Sequence, residues 1–532
     1  MKNLLPLLTL FLASQIVWAD DIPYVIKQEN SVLQIQTELQ TLINGATAND
    51  RVVVTGSKTD ADITLTLQIA AEKKVVWQAV YQSSSSLKNT FLISFSGSGC
   101  FEVADGELIT ENAHTIQATN TGSTIIVSGN GKVLTSGTVE DPIGDEVHAM
   151  FTYGNVEVKD NAQVSAPKGE IIASLGDNAT IIVSGGSVTT TIGAAIITIG
   201  KNAKVFVSGG YVSNEAGLNI YYPAIYVYDP RPNTESLVHV SGSGKVEAKG
   251  YWEAVITSGN VIVSGDARVN NTFGGTDHGA AIDGYIGVEI RDNAIVSSQN
   301  YTTIRGSNVT LSGNCLVEAK GDNYAIYAYK KVEIKEQAQV IAEDACAISQ
   351  EKPSTFTLSI TGGAVFAYGY TLLSVINQVN SINFAGVEDS GIILAWNKEA
   401  GNTTYEKGSN VDIFKTPEDV VAYWDKKGNQ HGIYYENGNN TGFIPIENVT
   451  VEEVGIGKIT NYKLRVYPNP TTGQLTIDNG QLTINKVEIF DVSGRKVLEP
   501  PLTVLQSYDL TVLHPGIYFL RVGNDWAKVV KQ

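Results

Sequence analysis

Val238-His239-Val240-Ser241-Gly242 and Val261-Ile262-Val263-Ser264-Gly265 are one phrase written twice, 23 residues apart. The phrase also stands at Ile93-Ser94-Phe95-Ser96-Gly97, Ile182-Val183-Ser184-Gly185, Val205-Phe206-Val207-Ser208-Gly209 and Val309-Thr310-Leu311-Ser312-Gly313. Looser copies are Val156-Glu157-Val158-Lys159-Asp160, Val288-Glu289-Ile290-Arg291-Asp292, Val332-Glu333-Ile334-Lys335-Glu336 and Leu358-Ser359-Ile360-Thr361-Gly362. From Val158 to Ile360 the second apolar position returns in steps of 21 to 33 residues, most of them 23 to 27. A repeat of that length marks a solenoid, in which one unit cannot bury its apolar face alone.

Each repeat has an internal order. After Ser-Gly comes a small polar turn, then a second short strand such as Lys245-Val246-Glu247-Ala248. A third follows, as in Ala224-Ile225-Tyr226-Val227, Ala254-Val255-Ile256 and Ala325-Ile326-Tyr327-Ala328. Alternation with period two predicts strands of three to five residues, with Gly, Asn and Asp at the corners. Dense Gly and β-branched residues argue against helix through this region. Three strands per coil of about 23 residues predict an all-β fold, a parallel β-helix over residues 51–390, of about 12 to 14 coils and on the order of 60 Å long. The coil length and strand order resemble the right-handed, pectate-lyase-like solenoids. An array of β-sandwiches fits less well, because sandwich strands are longer and do not repeat at this interval.

The repeat does not reach either end of the chain. Met1-Lys2-Asn3, the apolar run Leu4 to Leu12 and Val17-Trp18-Ala19 read as a signal peptide over 1–19, cut between Ala19 and Asp20. Within 20–50, residues 31–45 fit an amphipathic helix with Ser31 as N-cap and Gly45 at C′, a cap for the open end of the solenoid. Residues 391–460 lose the repeat and gain Trp396, Tyr405, Trp424, Tyr434 and Tyr435, which predicts a small β module, cap or linker.

Residues 461–532 change character again. Tyr467-Pro468-Asn469-Pro470 opens them, Asp491-Val492-Ser493-Gly494-Arg495 forms a turn between strands, and Gly516-Ile517-Tyr518 starts a late strand before Lys528 and Lys531. Alternating strands and tight turns predict a small β-sandwich. These motifs closely resemble the type A C-terminal sorting domain of type IX (Por) secretion substrates of Bacteroidota. The resemblance implies export via the periplasm to the extracellular space or outer-membrane surface. It further implies the type IX machinery and its sorting protease as partners, with release or attachment to surface lipopolysaccharide.

Composition narrows the function of the body. The net charge is -18, from 37 Lys plus Arg against 55 Asp plus Glu, with no basic block. Nucleic acid is therefore not an expected partner, since phosphate contacts need clustered cations. No later stretch approaches the apolar length of a membrane-spanning helix. Cys100, Cys315 and Cys346 cannot form a disulfide framework, and whether any two of them pair is open. The six His are dispersed without ligand spacing, and the Asp-Asn-Ala turns lack the Ca²⁺-binding nonapeptide, so no metal or cofactor is expected.

Candidate chemistry is sparse. Asp277, His278 and Asp283 form the best local cluster for an enzyme, but the succession of acids and bases that a polysaccharide lyase or glycoside hydrolase would carry on adjacent coils is not legible. A second pattern is the recurrence of a ring just before the third strand: Tyr222, Trp252, His278, Tyr301 and Tyr324. On a solenoid such positions form a row, either a ladder that stiffens a corner or a ridge of flat faces for sugar rings, flanked by Glu253 and Asp283. The sequence favours a non-enzymatic adhesin-like or glycan-binding surface protein over an enzyme on the same scaffold, or a purely structural surface component.

Overall fold

A computed structural model describes residues 21–48, 50–136, 147–215, 222–231, 235–273, 279–321, 323–342, 346–350, 356–368, 392–396, 404–405, 411–415, 421–427, 430–437, 440–445, 450–451, 465–478, 486–500, 507–522 and 525–532. The expected signal peptide lies outside the described residues. The chain divides into two units, residues 1–451 and 452–532.

The first unit is a parallel β-solenoid of about 12 turns. One coil runs Leu237–Val240, Lys245–Ala248, Val255–Thr257, and the next begins at Asn260–Val263. Each strand pairs in parallel with its counterpart one coil on, so three sheets run along the solenoid. In the first sheet Val238, Val261, Val288, Val309 and Val332 are successive register partners. Val212, Val246, Val269, Val296, Val317 and Val340 do the same in the second. Ile196, Ile225, Val255, Ile282, Ile304, Ile326 and Ile348 form the third column. All are buried. The apolar positions of the repeated phrase are thus the inward columns, each side chain contributing about 1.5–3 kcal/mol of burial.

The corner after the first strand explains why the phrase ends sometimes in Ser-Gly and sometimes in an acid. The chain turns there through a left-handed residue, Gly242 at φ 57°, Gly265 at φ 70°, Asp160 at φ 59° and Asp292 at φ 62°. Gly takes this conformation without strain. Where an acid takes it, its carboxylate reaches back one coil: Asp160 accepts from the Gly129 N–H at 2.9 Å, Asp292 from Gly265 at 2.9 Å and Glu336 from Gly313 at 2.6 Å. These acids are committed to backbone donors. Neighbouring Asn side chains link the same corners, Asn293 to Asp266 and Asn314 to Asn293.

In three coils the corner between the third strand and the following first strand is nearly lost. Ile282–Ile290, Ile304–Leu311 and Ile326–Ile334 each run through it as one strand. The register slips between Gly284 and Gly287, and again between Gly306 and Asn308, where a bulge replaces a turn.

Both ends of the stack are closed differently from its middle. The helix Val32–Gly45 buries Val32, Ile35, Leu39 and Ile43, with the Ser31 hydroxyl accepting from the Gln34 N–H at 3.2 Å. Gly45 is its last residue rather than the expected C′: the Ala46 N–H bonds Leu42 O and ends the helix with an extended residue. Gln36 and Gln40 accept from the N–H groups of Thr66 and Gln68, satisfying donors of the strand Leu65–Gln68. At the far end Ala364–Tyr368 pairs in parallel with Ile392–Trp396, which pairs antiparallel with Val411–Lys415, so parallel stacking stops. Val421–Lys427, Gln430–Asn437 and Asn440–Pro445 form an antiparallel meander.

The second unit is a β-sandwich. Arg465–Tyr467, Gln474–Asp478 and Ser507–Asp509 make one sheet, and Lys496–Leu498, Val487–Phe490, Gly516–Val522 and Asp525–Lys531 the other. Leu475, Ile477, Val487, Ile489, Tyr508, Leu520 and Val529 share its core.

Candidate functional site

The solenoid offers three outward faces, and their chemistry differs. On the first sheet, Glu289 pairs with Arg291 at 3.1 Å and Glu333 with both Lys331 at 2.6 Å and Lys335 at 3.2 Å, while nearer the helix Glu102 pairs with Lys74 of the neighbouring coil. An open groove of about 520 Å³ lies on this face between Leu237, Ile262, Glu289, Asn308 and Thr310. Among the described residues no aromatic ring lines it.

The third sheet is different. Its outward register column reads Phe151, Ala173, Ile197, Tyr226, Ile256, Asp283, Arg305 and Tyr327 on successive coils. Two residues further along the chain stand Tyr153, Ile199, Tyr228 and Tyr285, exposed by 36%, 41%, 40% and 71%. Rings touch along this face. At one end Phe91, His114, His148, Phe151 and Tyr153 follow one another with centroids 4.7 to 5.9 Å apart. Tyr226 stacks beside Tyr228 at 5.9 Å, and Tyr327 lies 5.8 Å from Tyr324 and 5.6 Å from Tyr329.

The two histidines have fixed roles. The His148 N–H donates to His114 Nδ1 at 2.9 Å, and His148 Nδ1 lies 3.1 Å from the Glu170 carbonyl oxygen. Burial, helped by His148, pulls the His114 imidazole down to about 4, so it is neutral at ordinary pH. His114 Nδ1 is thereby occupied as an acceptor.

Of the rings singled out in the sequence, Tyr222 packs with Phe151 and Tyr226 against Ala173, Ala194 and Ile197. Trp252 is half-buried, and its carbonyl accepts from Asn271 Nδ2 at 2.9 Å. Tyr301 faces Arg305, whose Nη2 donates to its hydroxyl at 3.1 Å and whose guanidinium carbon lies 5.7 Å from its ring centre. Tyr324 stacks with Tyr327. Asp277 and His278 lie outside the described residues. Asp283 is half-buried and pairs with Arg305 at 3.3 Å. Among the described residues no group of three or more His, Cys, Asp or Glu is placed to hold a metal ion.

Sequence reading overlooked Arg305 and the ring column itself. Tyr226 and Tyr327 were within reach, because period two in Ala224-Ile225-Tyr226-Val227 and Ala325-Ile326-Tyr327-Ala328 turns the tyrosines outward. No disulfide joins Cys100, Cys315 and Cys346, and burial pushes Cys100 and Cys315 up to about 12, so neither of these two is a ready nucleophile.

In the second unit the motif residues divide into those that build and those that show. Asn469 docks the last strand, donating to Lys528 O at 2.6 Å and accepting from the Val530 N–H at 2.8 Å. Asp491 gathers the Ser493 hydroxyl and the N–H groups of Ser493 and Arg495, and Gly494 turns the chain at φ 83°. Those donors, the Ser493 hydroxyl foremost, hold its carboxyl below the usual range. Tyr518 donates to His514 O at 2.9 Å, two residues after Gly516. Tyr467, Pro468, Pro470 and the Arg495 side chain are exposed.

A repeat-built solenoid joined to a sandwich with these turns defines a class, that of exported proteins with a C-terminal delivery domain. Residues 465–532 match the family described as the secretion system C-terminal sorting domain. The chain is a type IX secretion substrate with a β-helix body, handled by the type IX machinery and exported to the cell surface or extracellular space. No curated protein and no solved structure matches it. Among the described residues no helix is long and apolar enough to cross a membrane.

Proposed function

We propose that the solenoid is an adhesin-like, glycan-binding body, with the outward face of its third sheet as the ligand surface. One observation carries this reading: rings and aliphatic side chains line that face on consecutive coils, and Tyr153, Tyr228 and Tyr285 remain open to solvent. Strands about 4.8 Å apart repeat at close to the length of one sugar ring, so a polysaccharide lying along the sheet meets one new outward position per coil. Ring faces take the apolar faces of sugars while Asp283 and the tyrosine hydroxyls meet their hydroxyl groups. Trp252, Tyr222, Tyr301 and Tyr324 border the same surface. Signal-peptide removal, passage through the periplasm, cleavage of the tail by the sorting protease, and release or attachment to lipopolysaccharide complete the proposal.

The test is retention of the full chain in affinity gels cast with neutral and acidic polysaccharides, or on a glycan array. Tyr228→Ala with Tyr285→Ala removes two exposed rings, each worth about 0.5–1.5 kcal/mol, and should weaken retention roughly 5- to 150-fold while the thermal midpoint holds. Trp252→Ala should weaken it further. Retention that survives all three substitutions would leave the rings as stiffening ladders.

A further inference from the structure

The open groove on the first sheet owes its shape to one missing side chain. Along the outward column Asn260 is the register partner of Gly287, and Gly287 of Asn308. Two amides therefore stand two strand spacings apart, about 10 Å, with a bare position between them. Gly287 lies inside the strand Ile282–Ile290. Glycine weakens a strand interior and there often marks a place that something else approaches closely.

Neither backbone nor packing calls for glycine at this position. Gly287 borders the bulge but does not take the left-handed conformation. A Cβ at Gly259 would run into Ser236 O, and one at Gly244 into Val207 O. At Gly287 it would meet Asn260 Oδ1 at 3.0 Å, the end of a flexible side chain, and Asn308 O at 3.4 Å. A side chain fits here, and its absence opens the groove of about 520 Å³. Small-molecule sites span roughly 300–1,000 Å³.

The groups around the gap suit a particular ligand. Asn308 is held in place, its Nδ2 donating to Ile286 O at 3.0 Å, which leaves Oδ1 to accept. Among the described residues the Asn260 amide makes no hydrogen bond. A planar amide entering the gap becomes the missing rung of an Asn ladder, donating on one side and accepting on the other. Leu237 and Ile262 add apolar walls, and Glu235 and Glu289 add carboxylates that accept from hydroxyl groups and repel anions.

We propose that this gap binds the acetamido group of a neutral N-acetylated sugar. The amide sits between Asn260 and Asn308, the methyl and ring C–H groups meet Ile262 and Leu237, and the sugar hydroxyls donate to Glu235 and Glu289. The site is separate from the ring face of the third sheet and stands or falls without it.

The experiment titrates the full chain with chitotriose, cellotriose, sialyllactose and a glycine-flanked asparagine tripeptide, by calorimetry and saturation-transfer NMR. Chitotriose should bind, with its acetyl methyl protons receiving the strongest saturation. Cellotriose, which lacks the amide, should bind at least about 5-fold more weakly, and the anionic sialyllactose more weakly still. Gly287→Asn completes the ladder and should weaken chitotriose binding roughly 10-fold or more, with the thermal midpoint held or raised. Asn260→Leu removes one amide partner at similar volume and should cost about 5-fold. If Gly287→Asn lowers the midpoint, Asn260→Leu decides. Absence of chitotriose binding overturns the proposal, as does undiminished binding by these variants. Equal affinity for cellotriose or for the tripeptide overturns the acetamido sugar as ligand. Loss of chitotriose binding in Tyr228→Ala with Tyr285→Ala moves that sugar to the ring face and overturns the groove. Polysaccharide retention lost in that double variant, with chitotriose binding kept, supports both sites.

Discussion

The outer faces of the first and third sheets share strand spacing, register and an inner lining of Val and Ile, yet they carry different chemistry. On the first, Glu289 and Glu333 are each met by a cation from their own strand or the residues just after it, and Glu102 takes Lys74 from the neighbouring coil. On the third, rings lie next to rings and the cluster of Glu253, Asp283 and Arg305 draws its members from three coils. Pairing within one strand is how a solvated face manages its charge. A group assembled across coils depends on the stack, and a carboxyl as hidden as Glu253 costs stability unless it stays protonated. The difference is why the third face, and not the first, is the proposed polysaccharide surface.

The largest effect is expected at the lining that both faces share. Val261→Asp places an unpaired charge in an inward column and should cost at least about 3 kcal/mol, whereas Ile262→Asp, one residue on and facing out, should stay under about 1 kcal/mol. Urea unfolding of the two variants measures the gap, and equal midpoints would break the assignment of inside and outside.

Next comes the pH dependence of stability set by Glu253. Its folded-state acidity is weakened from 4.5 to about 7, so the protonated form favours folding. That contribution is complete below pH 4.5 and is lost as pH rises through about 7. At most it amounts to roughly 3 kcal/mol, at 1.36 kcal/mol per pH unit. Glu253→Gln should flatten the decline between those limits and unfold at higher urea than the wild type above pH 7. Parallel curves for the two proteins would show that Glu253 ionises freely.

The smallest effect sharpens the contrast from the other side. Glu333→Ala removes two surface ion pairs on the first sheet and should cost under about 1 kcal/mol, with gel retention unchanged. Lost retention in this variant would move the ligand surface to the first sheet and its open groove.

How much of this could be read in advance varies by element. The column through Val238 and Val261 was legible because alternation and apolar burial act within a few residues. The delivery tail was legible because its turns need particular residues, Asn469, Asp491 and Gly494 among them. Its docking by Asn469 onto Val530 of the last strand, 61 residues later, was not. Asp283 was visible as an acid near a corner. Its partner was hidden, because Ile304–Leu311 runs through the bulge and gives Arg305 no phrase to align on.

The sequence by itself determined that coils exist, which side chains face in, where the repeat stops and what address the chain carries. These follow from period, side-chain size and turn chemistry, all local properties. Only the tertiary structure decided that Arg305 lies beside Asp283, that Glu253 is shut away from water, and that Phe151, Tyr226 and Tyr327 share one column. Coil lengths vary between 21 and 33 residues, so lateral neighbours are set by how each corner takes up its surplus. Separation along the chain does not encode that.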